Sequence, residues 1–318
     1  MKNLKVVFMG TPTFSVPILE ELIKETSVVL VVSQPDREKD RKGTLLPTPI
    51  KEIAQKNNID IYQPINIKTD YQKIIDYNPD IIITCAYGQI IPEQLLKYPK
   101  YGCINVHGSL LPKLRGGAPI HHAIINGDKY TGITIMYMDK KMDSGDIISQ
   151  EKIEILPEDN LDSLYEKMSY LGKKLLIKTL PTIIDGTNTR IKQKEEDVTF
   201  GLNITKEEEK IDFNMPSINI YNLIRGLSTI PGAYCLIDNK RIKIYKSELT
   251  NFKSISEPGR IEKIDKTGIY VNTSDNIIKL TDIKLEGKKR CLVKDFINGI
   301  DLQDQVKNVL NEITGVND

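Results

Sequence analysis

Short runs of β-branched and aliphatic residues alternate with amphipathic stretches over about the first 150 residues. Apolar residues at helical spacing predict helices from Val16 to Lys24 and from about Asn160 to Ile184. Continuous apolar strands separated by helices indicate a parallel sheet covered on both faces, in which ligands sit at the carboxyl ends of strands. The predicted strands are Lys5–Gly10, Val28–Ser33, Asp80–Cys85, Gly102–His107 and Thr131–Met138.

The pattern changes after residue 186. Residues 187–210 are rich in charge and favour a solvated linker, and Ser217–Leu227 predicts one short helix. From Gly232 onward, short β-type runs separated by turn signals predict a small antiparallel barrel. We therefore predict a first domain over 1–189, a linker over 190–206 and a smaller β domain over 207–318.

Composition narrows the function classes. Among 318 residues, 44 Lys and Arg stand against 43 Asp and Glu, which gives a net charge of +1. Such a chain is no bulk polycation, so RNA binding would need local basic patches. The sequence has no apolar run of membrane-spanning length and no recognisable signal peptide, and its four Cys include no Cys-x-x-Cys pair. We expect a cytoplasmic monomer without membrane association, and three His argue against a multi-histidine metal site.

The segment from Gly102 to Pro112 is the richest in candidate chemistry. Asn105 and His107 are two residues apart in a predicted strand, so they face the same side with Cα atoms about 6.5 Å apart. An amide beside an imidazole at a strand end can bind an oxyanion and handle a proton. The alternative is a core histidine that an amide satisfies. Gly108 and the following loop favour a ligand site, because loops at strand ends hold ligands.

Three acidic residues follow in one loop, Asp139, Asp143 and Asp146. One of these carboxylates can orient His107, and their spacing does not select which. The loop lacks the twelve-residue spacing and terminal Glu of a calcium loop. Cys103 shares the face of Asn105 but is better explained as a small core residue than as a nucleophile.

Two other segments carry weaker signals. Gly10–Phe14 follows the first strand but lacks the G-x-G-x-x-G pattern, which disfavours a dehydrogenase. The adjacent pair His121 and His122 points in different directions on a helix and is better explained by packing. The charged loop from Gln34 to Gly43 is either a nucleic-acid arm or a solvated loop.

Taken together, these segments resemble the methionyl-tRNA formyltransferases, which use 10-formyltetrahydrofolate. The resemblance covers almost the whole chain. The segments that carry it are Phe8–Pro12, Ser33–Arg37, Leu46–Lys51, Ala86–Pro92, Gly102–Pro112, Arg115–Ile120, Thr131–Met136 and Asp143–Asp146.

The resemblance implies an α/β, Rossmann-like catalytic domain, with a mostly parallel sheet and helices on both faces, followed by a C-terminal barrel of the oligonucleotide-binding (OB) type. It implies formyl transfer from 10-formyltetrahydrofolate to the amine of methionyl initiator tRNA. The family's catalytic residues fall on Asn105, His107 and Asp143. The implied folate contacts are Ser109, Leu110, Leu111 and Pro112, with the pterin against Ala86, Tyr87, Gly88 and Ile91.

The tRNA contacts come from two sources. The resemblance places Arg37 in the loop that enters the acceptor stem, and Arg41 and Lys42 are further cations of that loop. Basic patches in the predicted barrel can hold phosphates without reading sequence. The predicted contacts there are Arg225, Lys240, Arg241, Lys243, Lys288, Lys289 and Arg290.

Two rival functions are consistent with parts of this pattern. Another folate-dependent formyltransferase or hydrolase, acting on a small amine or on water, would share Asn105, His107 and Asp143 without needing a basic C-terminal domain. A non-catalytic RNA-binding protein with a vestigial Rossmann domain would bind RNA without turning over folate. The intact catalytic trio argues against the second rival.

Overall fold

The computed structural model describes residues 1–38, 45–237 and 240–298. Their contacts divide the chain into two compact units. The first comprises Met1–Ile120, Tyr130–Glu154 and Leu164–Asn203. The second comprises His121–Lys129, Ile155–Ser163 and the described residues from 204 onward. The predicted linker, residues 190–206, is thereby divided after residue 203, and the domain boundaries given above remain a prediction.

Nine strands and six helices precede residue 185 in the described part of the chain. The strands are β1 Lys5–Gly10, β2 Ser27–Val32, β3 Arg37–Glu38, β4 Leu45–Leu46, β5 Ile61–Tyr62, β6 Ile81–Cys85, β7 Cys103–His107, β8 Tyr130–Tyr137 and β9 Ile147–Glu154. The helices are α1 Val16–Glu25, α2 Pro49–Lys56, α3 Gln72–Asp76, α4 Glu93–Leu96, α5 Pro119–Ile125 and α6 Leu161–Ile184.

Seven of these strands form one sheet in the order β5-β2-β1-β6-β7-β8-β9. The pairs from β5 to β7 are parallel, whereas β8 and β9 run antiparallel to their neighbours. The strand predicted over Thr131–Met138 is therefore present as β8, with the opposite direction. Antiparallel edge strands on a mostly parallel sheet are common. The arrangement places β7 where the sheet changes direction.

Burial explains why these segments are strands. Val6, Val7, Phe8 and Met9 of β1 have no exposed surface, which is typical of a strand covered on both faces. One cluster of the core packs β1 and β2 side chains against Tyr87, Ile91 and Cys103. The segment after β6 is thus held against the first residue of β7.

The second unit contains a separate antiparallel sheet. Its elements are α7 Ser217–Leu227, β10 Ala233–Ile237, β11 Lys240–Lys253, β12 Ile261–Asp265, β13 Gly268–Asn272, β14 Asn276–Leu285, β15 Cys291–Leu292 and α8 Val293–Asn298. The order is β10-β11-β14-β13-β12, and β15 pairs with β14. Register shifts bend the long strand β11 where it pairs with β14.

A core of aliphatic side chains from α7 and the sheet, including Ile224, Ile244 and Ile278, stabilises this unit. The predicted fold class, a Rossmann-like mostly parallel sheet followed by a smaller antiparallel β unit, is confirmed. No helix in the described ranges has the length and apolar character needed to cross a bilayer.

Candidate active site

Asn105 lies in the middle of β7, beside Thr84 of the parallel neighbour β6. The Thr84 hydroxyl is buried and donates a hydrogen bond to Asn105 Oδ1 at 2.8 Å. In this arrangement the amide presents Oδ1 to Thr84 and directs Nδ2 away from it. The Nδ2 group of Asn105 therefore keeps its N–H bonds available for a bound oxygen.

His107 ends β7 and is 5% exposed. Its Nε2 atom lies 3.1 Å from the carbonyl oxygen of Leu114. A carbonyl only accepts hydrogen bonds, so the network assigns the proton of the neutral ring to Nε2. The lone pair on Nδ1 is then free to take up a proton. The group that contacts Nε2 is thus a backbone carbonyl.

Of the three acidic residues that the sequence left open, Asp143 faces the imidazole. Its Oδ1 lies 3.7 Å from His107 Nδ1, and its Oδ2 accepts a hydrogen bond from the Gly116 N–H at 2.8 Å. Asp146 instead pairs with Arg190 at 3.0 Å, and Asp139 accepts from a neighbouring backbone N–H. Asn105, His107 and Asp143 thus provide an amide donor, a proton acceptor and a negative charge in one part of the first unit.

The loop after β7 is braced from the neighbouring strands. The Thr134 hydroxyl donates to Ser109 O at 2.6 Å and accepts from Leu111 N at 3.1 Å. The Gln150 amide donates to Thr134 Oγ1 and to Leu111 O at 2.8 and 2.9 Å. The Ser109 hydroxyl closes the loop by donating to Lys113 O at 2.6 Å. This bracing connects Ser109 to Pro112, the predicted folate loop, to β8 and β9.

The segment after β6 also has a defined conformation. Ala86 and Gly88 have φ of 50° and 93°, in the left-handed region that a tight turn needs. The carbonyl of Tyr87 accepts hydrogen bonds from Thr11 Oγ1 and Gln34 Nε2, both at 3.1 Å. The hydroxyl of Tyr87 is buried and has no hydrogen-bond partner among the described residues, and burial raises its pKa. A buried hydroxyl of this kind is available to a bound polar group.

Comparison with known proteins identifies the family of this chain. The formyl transferase family model matches residues 3–180, and the model for the formyl transferase C-terminal domain matches residues 203–315. The chain belongs to the formyl transferase family. The methionyl-tRNA formyltransferase of Staphylococcus aureus strain MW2 is 47% identical to it over 298 residues, which cover 93% of this chain and 96% of the relative.

Solved structures share the fold of this formyl transferase at low sequence identity. HypX from Aquifex aeolicus, in complex with tetrahydrofolic acid, is 14% identical with a TM-score of 0.65, and the match covers 95% of this chain but 48% of HypX. WlaRD, a sugar 3N-formyl transferase, is 23% identical with a TM-score of 0.64, and the match covers 91% of this chain and 100% of WlaRD. Methionyl-tRNA formyltransferase from Clostridium thermocellum is 18% identical with a TM-score of 0.55, and the match covers 87% of this chain and 99% of that protein.

The first predicted tRNA contact of the formyl transferase, Arg37, is exposed on the short strand β3. The preceding residue is fixed: Asp36 accepts hydrogen bonds from Gln63 Nε2 at 2.7 Å and Lys51 Nζ at 2.5 Å. The hydrogen bond from Gln63 has the larger effect in lowering the pKa of Asp36, and the hydrogen bond from Lys51 lowers it further. The base of the charged loop is therefore anchored. Arg41 and Lys42 lie outside the described residues.

Three predicted contacts in the second unit make internal bonds, and one of them is Lys243, whose ammonium donates to the Pro231 carbonyl. The Nη1 atom of Arg225 donates to the Leu156 carbonyl at 3.1 Å and to the Asp159 carbonyl at 2.9 Å. The Nε atom of Arg225 donates to Asn222 Oδ1 at 2.9 Å. Arg290 forms a two-point ion pair with Asp282, with its closest contact at 2.7 Å. Both guanidinium groups therefore have structural partners, and RNA contact by either would have to be shared with them.

Two of the remaining predicted cations, Arg241 and Lys243, line a cleft of about 550 Å³ in the second unit. Lys284 also lines this cleft, together with the acidic Glu286. The guanidinium of Arg241 lies 4.2 Å from the Tyr234 ring centroid, so its orientation is fixed by stacking. Lys240, Lys288 and Lys289 are exposed.

The weaker candidates have structural explanations. Cys103 is buried, its thiol lies 3.5 Å from Leu95 O, and burial raises its pKa, so a thiolate nucleophile is disfavoured there. Burial, together with neighbouring His122, lowers the pKa of His121 to about 4. Within the described ranges, no group of three or more His, Cys, Asp or Glu side chains could hold a metal.

Several residues that position the site were missed by sequence reasoning. Thr84, Thr134, Gln150 and Leu114 act through hydrogen bonds to residues that are 7 to 39 positions away. Thr84 carried one usable signal, a hydroxyl in an otherwise apolar strand. Leu114 carried none, because it acts through its backbone.

Proposed function

We propose that this protein transfers the formyl group of 10-formyltetrahydrofolate to the amine of methionyl initiator tRNA. One observation carries the proposal: the Asn105 amide, oriented by Thr84, lies on the same strand as His107, whose Nδ1 faces Asp143. The name and 47% identity of the Staphylococcus aureus relative support methionyl-tRNA as the acceptor. We also propose that the protein acts in the cytoplasm as a monomer, and its four free cysteines fit a reducing compartment.

In this proposal Asn105 stabilises the developing negative charge. 10-Formyltetrahydrofolate supplies the electrophilic formyl carbon. Attack by the amine nitrogen forms a carbon–nitrogen bond and moves negative charge to the formyl oxygen. The Nδ2 group of Asn105 donates to that oxygen, and loss of one such donor typically costs about 10²–10³ in rate.

His107 carries the proton. The attacking amine gives a proton to Nδ1, because Nε2 already donates to Leu114 O. The imidazolium is then stabilised by the Asp143 carboxylate, whose Oδ1 is 3.7 Å away. The same proton passes to the folate nitrogen as its bond to the formyl carbon breaks, so His107 returns to the neutral state. Charge and protons balance without another group.

The pocket features fit a folate. The braced loop from Ser109 to Pro112 contains apolar side chains, and the Tyr87 hydroxyl is a buried polar group with no partner in the described part of the chain. HypX, which shares the fold, is described in complex with tetrahydrofolic acid. The residues that we propose as folate contacts are Ser109, Leu110, Leu111, Pro112, Ala86, Tyr87, Gly88 and Ile91.

The tRNA is proposed to lie against two groups of cations. Arg37 reaches the acceptor end, and the cleft lined by Arg241, Lys243 and Lys284 holds backbone phosphates. Lys240, Lys288 and Lys289 add exposed charge near the same strands. Arg225 and Arg290 complete the proposed set, with contacts shared between RNA and their internal partners.

The test is to incubate the purified protein with 10-formyltetrahydrofolate and methionyl initiator tRNA, and to assay formylmethionine released from the tRNA. The expected result is tRNA-dependent formylation that Asn105→Ala and His107→Ala each lower by at least about 10² in kcat. A parallel assay with a nucleotide-sugar amine as acceptor tests the rival small-amine reaction. Faster formylation of that amine than of charged tRNA would overturn the proposal.

A further inference from the structure

Residues 190–203, which we call the strap, lie in the first unit and pair with the loop that follows β7. The Arg115 N–H donates to Thr199 O at 2.9 Å, and the Gly201 N–H donates to Arg115 O at 2.8 Å. The Ala118 N–H donates in turn to Gly201 O at 2.9 Å. The C-terminal part of the strap, at Thr199 and Gly201, is therefore bonded to backbone groups of the loop that follows β7.

One side chain of the strap acts on the partner of His107. The Thr199 hydroxyl accepts a hydrogen bond from the Leu114 N–H at 2.9 Å. The carbonyl of the same Leu114 faces His107 Nε2 at 3.1 Å. Leu114 has φ of 57°, which is unfavourable for a residue with a Cβ unless neighbouring contacts maintain it. Thr199 thus holds the N–H of the same residue whose carbonyl contacts His107.

A second side chain of the strap acts on Asp143. The Gln193 amide donates to the carbonyls of Asp143 and Gly145, both at 2.8 Å. Its oxygen accepts from Arg115 Nε at 3.0 Å. Asp143 also lies in the left-handed region, with φ of 51°. Gln193 thus uses its full amide to connect the Asp143 turn to Arg115, which is buried at 5% exposure.

We propose that Thr199 and Gln193 are positioning residues, which fix the two groups that contact His107. Thr199 sets the Leu114 carbonyl that holds the ring tautomer, and Gln193 sets the turn that aims the Asp143 carboxylate. This inference rests on the proposed function, because it concerns the proton transfer assigned to His107. Neither residue touches the substrates in this assignment.

The first experiment compares Thr199→Val with Thr199→Ser. Valine has the shape of threonine without the acceptor, so the Leu114 N–H loses its partner, whereas serine keeps the hydroxyl. We expect Thr199→Val to lower kcat by about tenfold or more, since small misplacements of reacting groups are costly. The KM values for folate and tRNA should change by less than about twofold, because binding groups are untouched. Thr199→Ser should restore most of the loss.

The second experiment compares Gln193→Leu with Glu196→Gln, a change at an exposed position of the same strap. We expect Gln193→Leu to lower kcat by about tenfold and to alter the pH profile of kcat/KM, because Asp143 no longer faces His107 correctly. Glu196→Gln should leave both unchanged. Rates are expressed per folded enzyme, with the folded fraction measured by circular dichroism, so a variant that folds poorly is still scored.

The outcomes separate the two levels of inference. An inactive wild-type protein overturns the proposed function. An active wild-type protein with unchanged kcat in both Thr199→Val and Gln193→Leu overturns the positioning role alone. Equal losses in Thr199→Val and Thr199→Ser, or a loss confined to KM, would also overturn it, because the hydroxyl or the geometry of His107 would then not be responsible.

Discussion

Asp143 Oδ1 lies 3.7 Å from His107 Nδ1, which is longer than a direct hydrogen bond. The other ring nitrogen faces the Leu114 carbonyl, so the lone pair of the neutral imidazole faces the carboxylate. The two side chains therefore face each other at the end of β7 without a direct hydrogen bond between them. This relationship is the basis of the proton transfer that we propose for His107.

Replacing Asp143 with Asn tests the charge of this pair. Asparagine tolerates the left-handed φ of 51°, and its amide oxygen can still accept from the Gly116 N–H. We expect kcat to fall by about 10² or more, since the imidazolium loses its negative neighbour. The measurement is kcat with both substrates saturating. Asp139→Asn, an equal charge change at an exposed position of the same loop, should retain activity. Equal losses would assign the effect to net charge.

Thr84→Val should impair catalysis from the neighbouring strand. The substitution keeps the shape of a fully packed position but removes the donor to Asn105 Oδ1. The amide can then rotate, so we expect kcat to fall by about tenfold with little change in the KM for folate. Thr84→Ser, which retains the hydroxyl, is the matched control. Normal turnover in Thr84→Val would show that Asn105 is oriented by other groups.

Gly116→Ala should disrupt the contact between the strap and the loop that follows β7. A Cβ at this position would lie 2.6 Å from Gly201 O, and Gly116 has φ of 128°. We expect at least about a tenfold loss of kcat, because Gly116 also donates to Asp143. Gly186→Ala is the control: its φ is 71°, but a Cβ there meets no atom within 4 Å. The control carries backbone strain without the clash, so activity loss in both variants would contradict this explanation.

Arg37→Ala should reduce the preference for initiator tRNA. A guanidinium can both donate hydrogen bonds and stack, which suits an unpaired acceptor end, whereas phosphate contacts alone are unselective. We expect the ratio of kcat/KM for initiator over elongator methionyl-tRNA to fall in this variant. Lys56→Ala removes an exposed cation of α2 as a control for general charge. An equal loss with both tRNAs would reduce Arg37 to an electrostatic contact.

His121 should make stability depend on pH. Burial, followed by the effect of His122, lowers its pKa from 6.5 to about 4 in the folded protein. Between these values the unfolded chain binds more protons than the folded one, so stability falls as pH drops from 6.5 towards 4. The neutral, buried His121 therefore contributes to the free energy of unfolding above pH 6.5, and at most about 3 kcal/mol of that free energy is lost at low pH. Urea unfolding of wild type and His121→Gln at several pH values measures it. Identical slopes of stability against pH would contradict this assignment.

Strand geometry and the residue pattern are enough to predict a covered sheet and the side of β7 on which the candidate site lies. Continuous apolar segments such as β1 can be buried on both faces only in a covered sheet, and the period of two places Asn105 and His107 on one side of β7. These are local consequences of strand geometry, so they need no knowledge of distant residues. The motif around His107, taken together with seven other segments, also indicated the family.

The orientations of the Asn105 amide and the His107 ring depend on the tertiary structure. The Thr84 hydroxyl fixes the Asn105 amide, and the Leu114 carbonyl fixes the tautomer of His107. Residues 190–203 are polar and lack apolar periodicity, so their sequence predicted a solvated linker. In the structure, however, Gln193 donates a hydrogen bond to the Asp143 carbonyl and Thr199 accepts one from the Leu114 N–H. Hydrogen bonds to backbone groups of distant segments depend on how the chain folds back on itself, and they leave no periodic pattern in the sequence.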